Sequence, residues 1–335
     1  MKKCNNQVFY IQEDKSAVQD FYVGVISKAL QDIGFCKCIT IPLSELKRAP
    51  KDALFIAISH YTVCRLYLNG YRKILYWIQG SSPDESFLRN HSYTRKLTIS
   101  AIEYMALCVS TFCFMVSKSM MEHFKKKYNR DFSKKTYIMP CFNSYINKDS
   151  FFTPGKYEGN VFCYVGGLSV WQCFPETVDF YKKAEAIIPN AFFKVFTGDI
   201  EKAESILKEK GVANYSVEYV KPDELVSRLS DCKYGFIIRK ESPVNFVATP
   251  TKLSNYMAAG LIPVVSDTVG FFSEILADCS NSVIIRDGDI TGIIEMSKKE
   301  LSAVSVYDEY EKVFDTFYNV DFHINNIKKA LQNYL

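Results

Sequence analysis

The stretch 239-RKESPVNFVATPTKLSNYMAAGLIPVVS-266 decides the reading of this chain. An apolar run, Tyr234-Gly-Phe-Ile-Ile-Arg239, enters it as a buried strand, and a second, Ile262-Pro-Val-Val-Ser266, leaves it. Between them a short helix opens at Thr251-Lys252-Leu253 and stops at Ala259-Gly260, with Gly260 at the left-handed cap position. Two residues are odd for a purely structural unit. Lys252 stands in the first helical turn, where the macrodipole disfavours a cation by roughly a few tenths of a kcal/mol. Arg239 ends the preceding strand, on the edge where open parallel sheets bind ligands. Two cations beside free backbone N–H groups suit a phosphorylated ligand. The alternative is a solvated lysine and a surface arginine.

Working outward, strands and helices alternate along the whole chain. Apolar strands are expected at residues 8–11, 38–41, 53–59, 74–78, 111–117 and 137–139, with helices at 16–30, 95–108 and 118–128. A polar, irregular stretch follows at 140–159 and reads as a linker. The pattern then restarts, with strands at 160–165, 192–196, 216–219 and 282–285 besides the two already quoted. Its helices are expected at 175–188, 199–210, 222–229, 271–278, 290–301, 307–318 and 321–335. The fold class is therefore α/β, with two doubly wound parallel-sheet domains, at 1–145 and 160–318, facing a cleft.

Composition agrees. The 335 residues fit two domains of roughly 150 residues each. A hydrophobic content of 48% with 23% charge describes a globular protein with ample core, and a net charge of +4 with no accompanying motif does not call for nucleic acid. Eleven cysteines and four histidines contain no C-x-x-C, so a zinc or iron–sulfur centre is not expected, and the metal expectation is none. With no signal peptide at the start, these thiols suit a reducing, cytoplasmic setting. The most apolar run, 104–116, falls short of the roughly 20 residues that span a bilayer.

Further candidates lie at strand ends. Val161-Phe-Cys-Tyr-Val165 runs into Gly166-Gly167-Leu-Ser169, where glycines allow a ligand close to the backbone and Ser169 adds a hydroxyl. Trp171-Gln172 places a large ring and an amide in the same neighbourhood. No G-x-G-x-x-G fingerprint follows the first strand of either half, which argues against a nicotinamide or flavin dehydrogenase. Asn255 lies three residues after Lys252, on the same helical face, within reach of hydroxyls such as a ribose. In the first half, His60, Asp84 and Glu85 end strands or open helices and are the candidates for acid–base work, although acids also favour a first helical turn for structural reasons. Residues 118–135 hold seven basic side chains, and Met121, Phe124 and Tyr128 share a helical face. Such a helix suits an anionic membrane surface or a solvated domain face.

These residues resemble a GT-B-fold glycosyltransferase of the group that builds bacterial surface polysaccharides. The resemblance covers nearly the whole chain and is strongest from Tyr164 to Ser266, in YVGGLSVWQ, the strand ending IIRK, and VNFVATPTKLSNYMAAGLIPVV; YWIQGSSPDES and IMPCFN carry it in the first half. It implies a metal-independent, hexosyltransferase-like enzyme without a cofactor. Its substrates would be a nucleoside-diphosphate sugar and a glycan or polyprenyl-linked acceptor, in capsule- or O-antigen-like biosynthesis on the inner face of the plasma membrane. By position, Arg239 and Lys252 hold the diphosphate with Leu253 beside them, Asn255 takes the ribose, and Val220 lies beside the base. The helix 321–335 would return to the first domain. The larger branch of the group carries two glutamates eight apart before the M-A-x-G turn, where this chain has Val247 and Asn255. Two rivals stand beside this reading: a GT-B-fold nucleotide-sugar epimerase, which would share the phosphate site, and, suggested by the missing glutamates, a sugar-nucleotide-binding subunit without catalysis.

Overall fold

In the computed structural model, which describes residues 6–13 and 17–335, the apolar runs become two parallel sheets of six strands each. The first holds β1 (Val8–Ile11), β2 (Ile39–Ile41), β3 (Leu54–Ala57), β4 (Lys73–Ile78), β5 (Phe112–Met115) and β6 (Thr136–Ile138), in the order β2-β1-β3-β4-β5-β6. Strands β1, β3 and β5 are buried along their length, as strands covered on both faces must be. The strand order reverses between β1 and β3, the switch point at which loops splay to either side of a sheet.

The expected helix start at Ser16 lies outside the described residues; the helix runs Ala17–Asp32. A helix at His60–Leu68 was not foreseen from the apolar pattern. It is set by its ends: the Tyr61 N–H donates to Ser59 Oγ at 3.2 Å, and Gly70 closes the turn with φ of 88°. Asn319 caps the helix Val320–Leu331, which packs within this first unit. Ile327 and Leu331 are buried, Lys328 pairs with Asp32 at 3.4 Å, and Tyr137 Oη stands 2.9 Å from His323 Nδ1. The unit takes in the chain to Pro140 and again from Asn319.

The second unit, Cys141–Tyr318, carries β7 (Val161–Val165), β8 (Phe192–Phe196), β9 (Tyr215–Glu218), β10 (Tyr234–Ile237), β11 (Ile262–Ser266) and β12 (Val283–Ile285), ordered β12-β11-β10-β7-β8-β9. Counted from β7, this is the Rossmann strand order, with its switch point between β7 and β10. Stacked rings knit that centre, Phe162 on Tyr234 at 4.5 Å and Tyr181 on Phe193 at 4.6 Å. The β7–β10 ladder pairs Phe162 with Tyr234 and Cys163 with Gly235. Beyond it the Tyr256 phenol separates the strands, accepting from the Val165 N–H at 3.0 Å and donating to the Phe236 carbonyl at 3.2 Å. Gly235 permits this, because a Cβ there would overlap the Tyr256 ring.

The stretch 140–159 is less irregular than its composition implies. It contains the helix Lys148–Phe151 and is tied to the end of the helix Lys252–Ala258. The Asn147 N–H donates to the Ala258 carbonyl at 2.9 Å, Lys156 Nζ to the Ala259 carbonyl, and Tyr157 Oη to the Gly260 carbonyl at 2.9 Å. A lysine at a helix C-terminus complements the macrodipole. The helix expected at 222–229 shrinks to Leu225–Arg228, with residues 222–224 in turns. A further helix, Pro243–Val247, is set by Pro243 in its first turn and by Ser242, whose Oγ accepts from the Asn245 N–H at 3.1 Å.

Candidate functional site

The carboxyl ends of β7 and β10 flank the switch point of the second sheet, and the predicted glycines and cations gather there. Gly166 follows β7 with φ of 119°. A Cβ on it would stand 2.9 Å from Lys252 Cε, so both the backbone angle and the approach of Lys252 require glycine. Gly167 and Ser169 are exposed, and the Leu168 N–H between them donates to Asp199 Oδ2 at 3.0 Å. A turn at Val170–Gln172 follows, and Cys173, with φ of 52°, leads into the helix Phe174–Glu185.

Arg239 leaves the end of β10 and Lys252 begins its helix, yet neither is solvated: they are 5% and 6% exposed. The surface alternative fails for both. Their side chains meet at one residue. Arg239 Nη1 donates to the Gln172 carbonyl at 2.6 Å and Nη2 to Gln172 Oε1 at 2.6 Å, while Lys252 Nζ donates to the same Oε1 at 2.8 Å. Lys252 Nζ also lies 3.9 Å from the centre of the Tyr164 ring. Among the described residues neither cation is ion-paired with a carboxylate; the groups that act on them most are tyrosines, cysteines and, for Lys252, Arg239. Burial, and then the charge of Arg239, hold Lys252 well below the ordinary lysine range; burial lowers Arg239 as well. Buried charge without a partner is expensive, and its concentration at a ligand-binding edge marks a place for an anion.

Leu253 is fully buried beneath the turn. Asn255, three residues after Lys252, is also buried, and its Oδ1 accepts from Ser144 Oγ. The neighbouring Cys141 N–H donates to Thr249 Oγ1 at 3.1 Å, so the same short segment is tied to the loop before this helix. Val220, just after β9, is half-buried beside the exposed Tyr219. Gln172 is the residue that sequence reasoning left without a role. Its only signal was an amide shortly after the glycine pair.

The acid–base candidates of the first unit lie in three different settings. Asp84 is buried and fixed, accepting from Ser81 Oγ, with Lys96 Nζ at 2.8 Å, His123 Nε2 at 3.6 Å and Lys127 Nζ at 3.9 Å. Burial alone would raise its pKa, but His123, Lys96, Ser81 and Lys127 together hold it well below the carboxylate range. Glu85 is partly exposed, lies against Gly80 and pairs loosely with Arg89 at 3.8 Å. Burial raises its pKa, aided by the charges of Glu103 and Asp84. His60 is buried, its Nε2 has no hydrogen-bond partner, and burial followed by the charge of Lys127 lowers its pKa to about 4. A base working near neutrality fits Glu85 or neutral His60 better than Asp84.

The basic helix Lys118–Tyr128 turns its apolar side inward. Met120 and Phe124 are fully buried, and Tyr128 Oη donates to the Ser100 carbonyl at 3.0 Å and to Glu103 at 2.5 Å. Lys127 is spent on Glu103 at 2.8 Å, leaving Lys118, Lys125 and Lys126 as its exposed cations. Among the described residues no helix is long and apolar enough to cross a membrane, and no group of His, Cys, Asp or Glu could hold a metal ion. Nine described cysteines carry free thiols, five of them buried, and Cys36 is disulfide-bonded.

No protein-family model and no curated protein sequence matches this chain. Solved structures share its fold. HepE of Anabaena, in complex with UDP-glucose, is similar with a TM-score of 0.68 at 11% identity, covering 98% of this chain and 99% of HepE. The lipopolysaccharide outer core galactosyltransferase WaaB, in its apo form, gives 0.65 at 14% identity, over 98% and 100%. A UDP-forming α,α-trehalose-phosphate synthase from Burkholderia xenovorans, in complex with glucose-6-phosphate, gives 0.58 at 12%, over 96% and 79%. The chain has the GT-B fold of two Rossmann-like domains.

Proposed function

We propose that this protein is a glycosyltransferase that moves a sugar from a nucleoside-diphosphate sugar to a glycan or lipid-linked acceptor. One observation carries the reading: two buried cations, Arg239 and Lys252, meet at the switch point of the second sheet and form no ion pair with a carboxylate among the described residues. A diphosphate supplies the missing charge. As the bond from sugar to phosphate breaks, the leaving diphosphate gains negative charge, and fixed cations in a water-poor site stabilise it. HepE was solved with UDP-glucose and WaaB is named a galactosyltransferase, so the fold is at home with such donors.

On this reading Gly166 and Gly167 bring the backbone against the diphosphate, and Ser169 lies at the mouth of the turn. Val220 stands at the base, and Asn255, held by Ser144, shapes the wall toward the ribose. Glu85 or His60 accepts the proton of the acceptor hydroxyl, while Asp84 positions the surrounding loop through its ion pairs. A role in building a capsule- or O-antigen-like polysaccharide at the inner face of the membrane follows the resemblance. Any hold on anionic lipid would rest on exposed lysines, since the apolar side of the helix Lys118–Tyr128 is used internally. A second reading, donor binding without transfer, is favoured by Val247, which is fully buried at the position of the first of the group's two glutamates.

The test is calorimetric binding of nucleoside diphosphates together with release of nucleotide from a panel of nucleotide sugars, with and without acceptors. Lys252→Ala is expected to weaken nucleoside-diphosphate binding by about 1.5–3 kcal/mol, the scale of a charge-assisted hydrogen bond. Unchanged affinity in that variant would remove the site. Tight binding without nucleotide release under any acceptor would leave the second reading.

A further inference from the structure

We propose that Gln172 is a built-in competitor for the phosphate site: its side-chain oxygen holds the place of a phosphate oxygen, and a diphosphate binds by displacing it. The proposal rests on the reading of the Arg239–Lys252 pair as a diphosphate site. A single neutral atom, Gln172 Oε1, accepts from both buried cations, at 2.6 Å and 2.8 Å. An amide oxygen satisfies their hydrogen-bonding directions but carries only a fraction of the charge that would neutralise them. A phosphate oxygen accepts the same two bonds with full charge assistance, and therefore outcompetes the amide. A carboxylate at this position would instead pair permanently with both cations and close the site.

The local chain is built for the exchange. Gln172 ends a single turn whose preceding Ser169 and Val170 are exposed, Val170 by 76%. The turn is bounded by Gly166 and Cys173, both with positive φ, so it belongs to neither the strand before it nor the helix after it. Arg239 Nη1 holds the Gln172 main-chain carbonyl at 2.6 Å, a bond that survives when the side chain swings away. The guanidinium therefore keeps its orientation while Nη2 and the Lys252 ammonium change partner. Gln172 lets two like charges lie buried without a ligand and still remains displaceable.

Trp171 gives the motion a reporter. The chain has two tryptophans, and Trp77 is buried in the core of the first unit. In a Trp77→Phe background, titration with inorganic diphosphate should change the emission of Trp171. Calorimetry with inorganic diphosphate and UDP, and thermal unfolding without them, would then compare the parent with Gln172→Glu, Gln172→Ala and Lys252→Met. Gln172→Glu is expected to unfold at a higher temperature and to bind diphosphate about tenfold more weakly or worse, as a charged competitor must. Gln172→Ala is expected to unfold at a lower temperature and to bind at least as tightly as the parent. If Gln172→Ala does not fold, Gln172→Glu and the Trp171 emission decide. Parent-like binding by Gln172→Glu, or a tenfold loss in Gln172→Ala, would overturn displacement; a loss in Lys252→Met would show that the site itself stands. Failure of the parent to bind either probe would overturn the site and the proposal together.

Discussion

Each unit gathers a group of charged side chains around buried members, and the two groups are opposites. In the first unit Asp84 lies beside Lys96, Lys127 and His123, and Glu103 pairs with Lys127, so each acid has a cationic partner. In the second unit Arg239 and Lys252 share one amide oxygen and, among the described residues, form no ion pair with an acid. The first arrangement is complete, and removing a member leaves a stranded charge. The second is incomplete, and removing a member relieves it. A matched buried cluster is thus a structural device, while an unmatched one is a request for a ligand. The same substitution, lysine to methionine, should have opposite consequences in the two places.

The larger effect belongs to the matched cluster. Lys127→Met removes the cation that Glu103 holds at 2.8 Å and is expected to cost about 3–5 kcal/mol in urea unfolding, the usual price of stranding a buried partner. Adding Glu103→Gln should restore part of that loss. The charge of Lys127 also depresses His60, after burial, so the His60 pKa should rise from about 4 in Lys127→Met, as followed by NMR titration. A stability loss below about 1 kcal/mol would mean that the cluster is no tighter than a surface pair.

Lys252→Met should act the other way. Burial and the charge of Arg239 push the Lys252 pKa well down in the folded protein. Between that lowered value and the ordinary one near roughly 10.4, the unfolded chain binds one more proton than the folded chain. The contribution of this group to stability therefore rises with pH across the window. Without it, Lys252→Met should be more stable than the parent at neutral pH, with the gain shrinking as pH climbs toward the ordinary lysine value. Denaturant unfolding at several pH values in that window checks it, and a variant less stable than the parent at neutral pH would contradict the unmatched reading.

How much of this was legible in the sequence follows from the physics of each part. The sheets were readable because strands buried on both faces spell continuous apolar runs, as in β3, β5, β10 and β11. The helix His60–Leu68 was missed because its limits come from Ser59 and Gly70 rather than from a clear apolar stripe. In the site, Gly166, Arg239 and Lys252 were visible because each is expensive where it stands. Their burial was not, since a lysine in a first turn looks solvated until the turn after β7 is seen to cover it. Gln172 was invisible as a partner because its contacts lie 67 and 80 residues away in the chain. Asn255 was placed on the right helix, but three-residue spacing could not reveal that Ser144 already holds its oxygen.

The smallest expected effect concerns the lysines that neither cluster uses. Lys118, Lys125 and Lys126 are exposed on a helix whose apolar side is filled by Met120 and Phe124, so any membrane contact must be electrostatic and not insertive. An exposed lysine near an anionic surface contributes about 1 kcal/mol, and the attraction fades within a Debye length. Sedimentation with phosphatidylserine-rich vesicles at low salt should therefore show weak binding that disappears as salt is raised to about 0.15 M. Reversing Lys125 and Lys126 to glutamate should remove it, while Lys127, committed to Glu103, should be left intact because its loss would unfold the cluster as well. Binding that survives salt would require an apolar surface this helix does not expose, and no binding at low salt would leave these lysines as a solvated face.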